Sequence, residues 1–243
     1  MNLLDWKKIS ETRRRAALER PALSRSHTLR RRVAALVAAV CKRGDAAVLE
    51  ATRRYDGAAL KVLKVSATEV AAAYQRVAKA DLAALREAAR RIRIFHRRQR
   101  PRSYAVEISK GILCERRFVP IQRVGLYVPG GSATLPSTVL MLGVPAGLAG
   151  CPVKVLATPP RPDGSIEPHI LVAADLVGIR DVFKMGGAQA IAAMAYGTKT
   201  VPKTDKLFGP GNSWVTEAKI QVSRDADGAA CDFPAGPSEV LVI

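Results

Sequence analysis

Residues 205–222 read Asp205-Lys206-Leu207-Phe208-Gly209-Pro210-Gly211-Asn212-Ser213-Trp214-Val215-Thr216-Glu217-Ala218-Lys219-Ile220-Gln221-Val222. The first four positions predict a short strand, Gly-Pro-Gly a sharp turn, and Asn212 the N-cap of a helix. Val215, Ala218 and Val222 recur at helical spacing, with Glu217, Lys219 and Gln221 off that face. A strand, a glycine turn and a helix start leave backbone N–H groups pointing at open space, which suits a phosphate or another anion. Downstream, Pro234-Ala235-Gly236-Pro237-Ser238-Glu239 fixes a second backbone path and presents Ser238 and Glu239 ahead of another apolar run.

The same grammar extends back to Pro120. Strands are predicted over Val124–Val128, Val153–Thr158, Asp181–Met185 and Asp205–Phe208. Helices are expected from about Ser137, after the turn-rich 159–165 as far as Gly178, and from Gln189 to Tyr196. Strands joined by helices of this length imply βαβ units and a parallel sheet. Three strand-to-helix turns carry Gly-Gly or Gly-Pro-Gly, and such turns gather at the carboxyl ends of the strands, where ligands bind. The polar residues offered there are Tyr127, Ser132, Gln189 and Asn212. No turn spells G-x-G-x-x-G and no Walker A lysine is present, so these turns are as consistent with plain structure as with a nucleotide site.

From Leu3 to Arg102 the pattern is mostly helical. Thr28–Val40 reads as an amphipathic helix ended by Arg43-Gly44, and Asp45 as the cap of a second that closes at Asp56-Gly57. Ala58–Val65 holds a short strand-like piece, and Ser66 opens another helix. Over Asp81–Arg98, Leu82, Leu85, Ala89, Ile92 and Phe95 share one face and Arg86, Arg90, Arg93 and Arg97 the other.

The formal charge of +18 belongs to this half: residues 1–120 carry 29 Lys and Arg against 11 Asp and Glu, and residues 121–243 carry ten of each. The arginine face, densest at His96–Arg102, invites a nucleic-acid reading. It lacks interleaved aromatics and any helix-turn-helix, RNP or zinc-finger pattern, so a solvated face in a basic protein is the competing reading.

Other chemistry finds less support. Cys41, Cys114, Cys151 and Cys231 form no C-x-x-C pair, and His27, His96 and His169 show no ligand spacing, so a metal site is not expected from spacing. Ser132 and Ser238 do not stand in G-x-S-x-G. Cys151 is a conceivable thiol nucleophile or a small buried hydrophobe. The N-terminal residues lack an apolar signal core, and the longest apolar stretch, about Val139–Leu148, is too short to span a bilayer, so a soluble protein in a reducing compartment is expected.

Four motifs in order resemble the histidinol dehydrogenase family: Val124-Gly125-Leu126-Tyr127-Val128-Pro129-Gly130-Gly131, Gly186-Gly187-Ala188-Gln189-Ala190, Phe208-Gly209-Pro210-Gly211-Asn212 with Val215 and Ala218-Lys219, and Asp232 with Pro234–Val240. The resemblance implies an α/β fold of incomplete Rossmann-like domains, a parallel sheet with helices on both faces, preceded by a mostly helical N-terminal region. The implied organisation is 1–126 as the front of a discontinuous domain, 127–236 as an inserted NAD-binding domain, and 237–243 as the start of a return strand.

It implies two-step, NAD-dependent oxidation of L-histidinol to L-histidine through histidinal by a cytoplasmic, zinc-dependent homodimer, with no nucleic-acid or membrane partner. By motif match, Tyr127, Gln189 and Asn212 contact NAD and Ser238 contacts substrate. The family's zinc ligands and its acid–base Glu-His pair follow beyond Ile243, so no catalytic or metal residue is expected within the chain. A truncated chain, inactive alone, is the expectation. The alternatives are a non-catalytic nucleotide-binding remnant and a relative acting on another small alcohol.

Overall fold

A computed structural model describes residues 4–18, 27–130 and 134–232. In chain order its elements are α1 (Glu11–Leu18), α2 (His27–Arg43), α3 (Asp45–Tyr55), α4 (Ala67–Arg76), α5 (Lys79–Arg97), β1 (Tyr104–Ser109), β2 (Ile112–Arg116), β3 (Arg123–Tyr127), α6 (Pro136–Leu148), β4 (Val153–Thr158), α7 (Pro168–Leu176), β5 (Asp181–Lys184), α8 (Gly187–Tyr196), β6 (Lys206–Phe208), α9 (Ser213–Val222) and β7 (Ala230–Cys231).

The last five strands form one parallel sheet in the order β5-β4-β3-β6-β7. The chain winds outward from β3 to β5, then crosses back over the sheet through α8 to place β6 on the other side of β3. That reversal opens a crevice at the carboxyl ends of the strands flanking it.

Alternation along the strands builds two cores. Val155, Ala157, Phe183 and Tyr127 face the side covered by α8 and α9, where α2 and α3 add Val33, Val37, Val40 and Val48. Val124, Leu126, Leu156 and Val182 face the side covered by α6 and α7, where α4 and α5 add Ala73, Leu85 and Ala89. The helical first half therefore packs as an outer layer on both faces of the sheet. Among the described residues no helix is long and apolar enough to cross a membrane.

Local signals explain most element boundaries. Ser66 and Glu69 form a full capping box at the start of α4, as the serine predicted. Three expectations need correction. Asp45 is the first residue of α3 and not its cap: the cap position is Gly44, and the Asp45 carboxylate accepts from the Thr198 hydroxyl on the far side of a tertiary contact. Phe95 is 65% exposed, although Leu85 and Ala89 on the same face of α5 are buried in the core beside α6.

Residues 58–65 form no strand. They make a single antiparallel bridge, Lys64 with Phe183, and bond to β5 through Val65 N–H to the Val182 carbonyl and Lys184 N–H to the Leu63 carbonyl. Beyond Arg102, where no element was predicted before Pro120, β1 and β2 form an antiparallel hairpin, with every residue of both strands exposed.

Candidate functional site

A cleft of about 1070 Å³ lies at the crossover, at the carboxyl ends of β3, β4 and β6. Tyr127, Gln189 and Asn212, separated by 85 positions of sequence at the extremes, all line it. Each is positioned by a different glycine turn.

Tyr127 ends β3 and is almost wholly buried. Its phenol oxygen accepts from the Gly187 N–H, the first of α8, at 3.0 Å. Burial pushes the phenol up to about 12, opposed by that hydrogen bond, so the hydroxyl is neutral at ordinary pH. Gln189 is the third residue of α8, 1% exposed, and donates Nε2–H to Asp56 Oδ2 at 3.2 Å. Asn212 caps α9 as its position predicted: Oδ1 accepts from Trp214 N–H at 3.0 Å and Val215 N–H at 3.2 Å.

The Gly209-Pro210-Gly211 turn is held from beneath. Lys219 lies on α9 seven residues past the Asn212 cap and is buried, with its ammonium donating to the Gly209 carbonyl and, at 2.6 Å, to Asp232 Oδ1. Asp232 Oδ2 in turn accepts from Gly209 N–H at 2.8 Å. This corrects the expected helix pattern: Glu217 and Lys219, placed off the apolar face by spacing, are 5% and 6% exposed because α9 packs against both α8 and α2 and touches β7. Sequence spacing does not signal the clamp, since its two side chains lie on separate elements.

Asp56 was legible only as the residue that closes α3. In the structure its side chain forms part of the cleft wall, bonded to Gln189 and to Gly186 N–H. Burial raises its carboxyl to about 6, only partly offset by those two hydrogen bonds. Arg32 from α2 and Arg161, which pairs with Glu167, add positive charge to the cleft lining.

The remaining candidates stand elsewhere. Ser132 and Ser238 lie outside the described residues. Cys151 is buried between α6 and β4, where burial raises its thiol, and it does not line the cleft. His169 bonds to Glu167 and Asp81, and His96 to Gln99. Among the described residues no group of three His, Cys, Asp or Glu side chains is arranged to hold a metal ion.

Strand order and a glycine-walled cleft at the crossover define a Rossmann-like α/β protein. The sequence profile of the histidinol dehydrogenase family matches residues 18–243, and the chain belongs to that family. It is 58% identical over all 243 residues to the histidinol dehydrogenase of Xanthomonas oryzae pv. oryzae (strain KACC10331 / KXO85), covering 56% of that protein. Identity to the Vibrio parahaemolyticus serotype O3:K6 histidinol dehydrogenase is 51% over the same span and share. The crystal structure of histidinol dehydrogenase from Elizabethkingia anophelis superposes with a TM-score of 0.86 at 41% identity, over 95% of this chain and 52% of that one. The chain thus spans a little over half the length of the relatives it matches.

Proposed function

We propose that this chain carries the dinucleotide-binding part of an enzyme that oxidises L-histidinol to L-histidine, with NAD in the crossover cleft. The observation that carries the reading is convergence: Tyr127, Gln189 and Asn212, from three separate glycine turns, line one cavity large enough for a dinucleotide. The walls suit it. A Cβ on Gly130 would lie 2.5 Å from Pro159 Cγ, so glycine there keeps the wall open and its backbone close to a ligand. Arg32 makes no ion pair among the described residues and supplies a cation for a pyrophosphate.

When bound, NAD supplies the hydride acceptor for an alcohol-to-aldehyde and then an aldehyde-to-acid oxidation. Tyr127, neutral and already accepting from Gly187, orients through its hydroxyl and removes no proton. Asn212 has its side-chain oxygen committed to the helix cap, which leaves the amide N–H₂ as its donor. Ser238 is assigned to the substrate by motif match. The described residues offer no set of three His, Cys, Asp or Glu side chains that fits zinc. With no adjacent Glu-His pair in its sequence, the chain is proposed to bind NAD without oxidising histidinol by itself. A homodimer and a cytoplasmic location belong to the same proposal.

Isothermal titration calorimetry of NAD into the 243-residue chain tests this. Saturable binding that Asn212→Ala weakens supports the reading; absence of heat at millimolar NAD contradicts it. Histidinol-dependent NADH formation by the chain alone contradicts the claim that it does not turn over.

A further inference from the structure

We propose that Asp56 is a positioning residue of this cleft: its carboxylate selects which end of the Gln189 side-chain amide is turned toward the ligand. The proposal rests on the dinucleotide reading of the cleft and adds to it a residue contributed by the helical first half.

The geometry begins with the turn. Asp56 is the C-cap of α3, its N–H bonded to the Thr52 carbonyl, and Gly57 follows at φ 74°, a left-handed conformation that reverses the chain there. The reversal leaves the Asp56 side chain against the start of α8. Gly186 makes the approach possible, because a Cβ at that position would meet Asp56 Oδ1 at 2.9 Å and Pro159 Cβ at 2.7 Å. Asp56 thereby reaches the Gly186 N–H and the Gln189 amide, two groups of the same glycine turn.

A buried glutamine amide has two orientations of nearly equal shape, related by exchange of Oε1 and Nε2. An ionised carboxylate only accepts, so it fixes Nε2 toward itself and Oε1 away. Charge-assisted bonds of this kind are roughly twice as strong as neutral ones. A protonated carboxyl donates as well and accepts the reversed amide, so the selection relaxes when Asp56 takes up a proton. Gln189 is 1% exposed and has little other means of correcting its orientation.

The other groups around the cleft leave this pairing intact. Tyr127 from β3 is engaged by Gly187, Arg161 by Glu167 ahead of α7, and Tyr55 and Arg32 line the cleft from α3 and α2. Among the described residues Asp56 forms no ion pair with a lysine or arginine, although its carboxyl is partly withdrawn from water. A carboxylate held so, without a neutralising cation and against a ligand cavity, is the pattern of a group retained for its site and not for stability.

Two measurements on the chain test this. In ¹⁵N–¹H spectra, the Gln189 side-chain amide, assigned by its loss in Gln189→Leu, titrates with a midpoint near pH 6 in the parent and not in Asp56→Asn. By calorimetry, parent affinity for NAD falls about tenfold from pH 7.5 to pH 5, Asp56→Asn is about tenfold weaker at pH 7.5 and independent of pH, and Asp56→Glu recovers part of the loss. A Gln189 amide that ignores pH in the parent, or an Asp56→Asn protein that binds as tightly as the parent, overturns the proposal. A parent that shows the Gln189 titration yet binds no NAD at any pH sinks the dinucleotide reading instead, and reduces Asp56 to a structural contact.

Discussion

Lys219 and Asp232, one from α9 and one just past β7, meet at 2.6 Å and together hold both backbone groups of Gly209. The ammonium takes the Gly209 carbonyl and the carboxylate takes its N–H, so the pair fixes the turn that delivers Asn212 to the cleft. Buried pairs of this kind are weak evidence for net stability, but removing one partner strands the other. Lys219→Met is expected to destabilise the fold by about 3 kcal/mol, read as a lower urea midpoint at unchanged slope. An unchanged midpoint would mean that the turn holds its shape without the clamp.

Gly209 itself tolerates no side chain. Its φ is 129°, and a Cβ there would lie 2.1 Å from the Tyr127 carbonyl oxygen, a backbone atom that cannot swing aside. Gly209→Ala is expected to lose about 2–3 kcal/mol and to disturb both strands of the crossover, measured by thermal unfolding with Trp214 emission as the local probe. A variant within experimental error of the parent on both counts would contradict the close approach.

Asp56 makes a stability prediction separate from its role toward ligand. Its carboxyl is raised from 3.8 to about 6 in the fold, so the native state holds the proton more tightly than the unfolded chain does. The stability this gives is fully present below pH 3.8 and is lost as pH rises through about 6. Asn cannot ionise, so Asp56→Asn should gain on the parent between those two values and hold a constant advantage above them. Chemical denaturation at pH 4, 5, 6 and 7.5 checks the trend; a difference that does not vary with pH contradicts the raised carboxyl. A variant that is steadier and binds more weakly is the usual trade at a functional site.

The parallel sheet was legible because its strands are short apolar runs bounded by glycine turns, and β4 fell on its predicted residues, Val153–Thr158. Asn212 was legible for the same reason that it works: a cap is a local device, readable from the residues beside it. The hairpin of β1 and β2 was not, since no residue in either strand is buried and a strand without a buried face shows no informative alternation. Nor were the contacts of Asp56, Lys219 and Asp232, although the last two stand in the motifs that carry the resemblance. Their partners are separated by 133 positions for Asp56 with Gln189 and 13 for Lys219 with Asp232, and no periodicity marks a residue whose importance is set by what the fold brings beside it. The same holds for Phe95, which shares its helical face with the buried Leu85 and Ala89 and is nonetheless exposed.

The most direct test of the account uses a reporter already in the cleft. The chain has two tryptophans, and Trp214, the second residue of α9, lines the cavity beside Asn212. In a Trp6→Phe protein all tryptophan emission comes from Trp214. Titration with NAD, excited at the red edge of the tryptophan band, should give a saturable change in that emission, and Asn212→Ala should shift the curve to higher NAD. Emission that stays constant to millimolar NAD, or a curve that Asn212→Ala leaves in place, would contradict a dinucleotide in the crossover cleft.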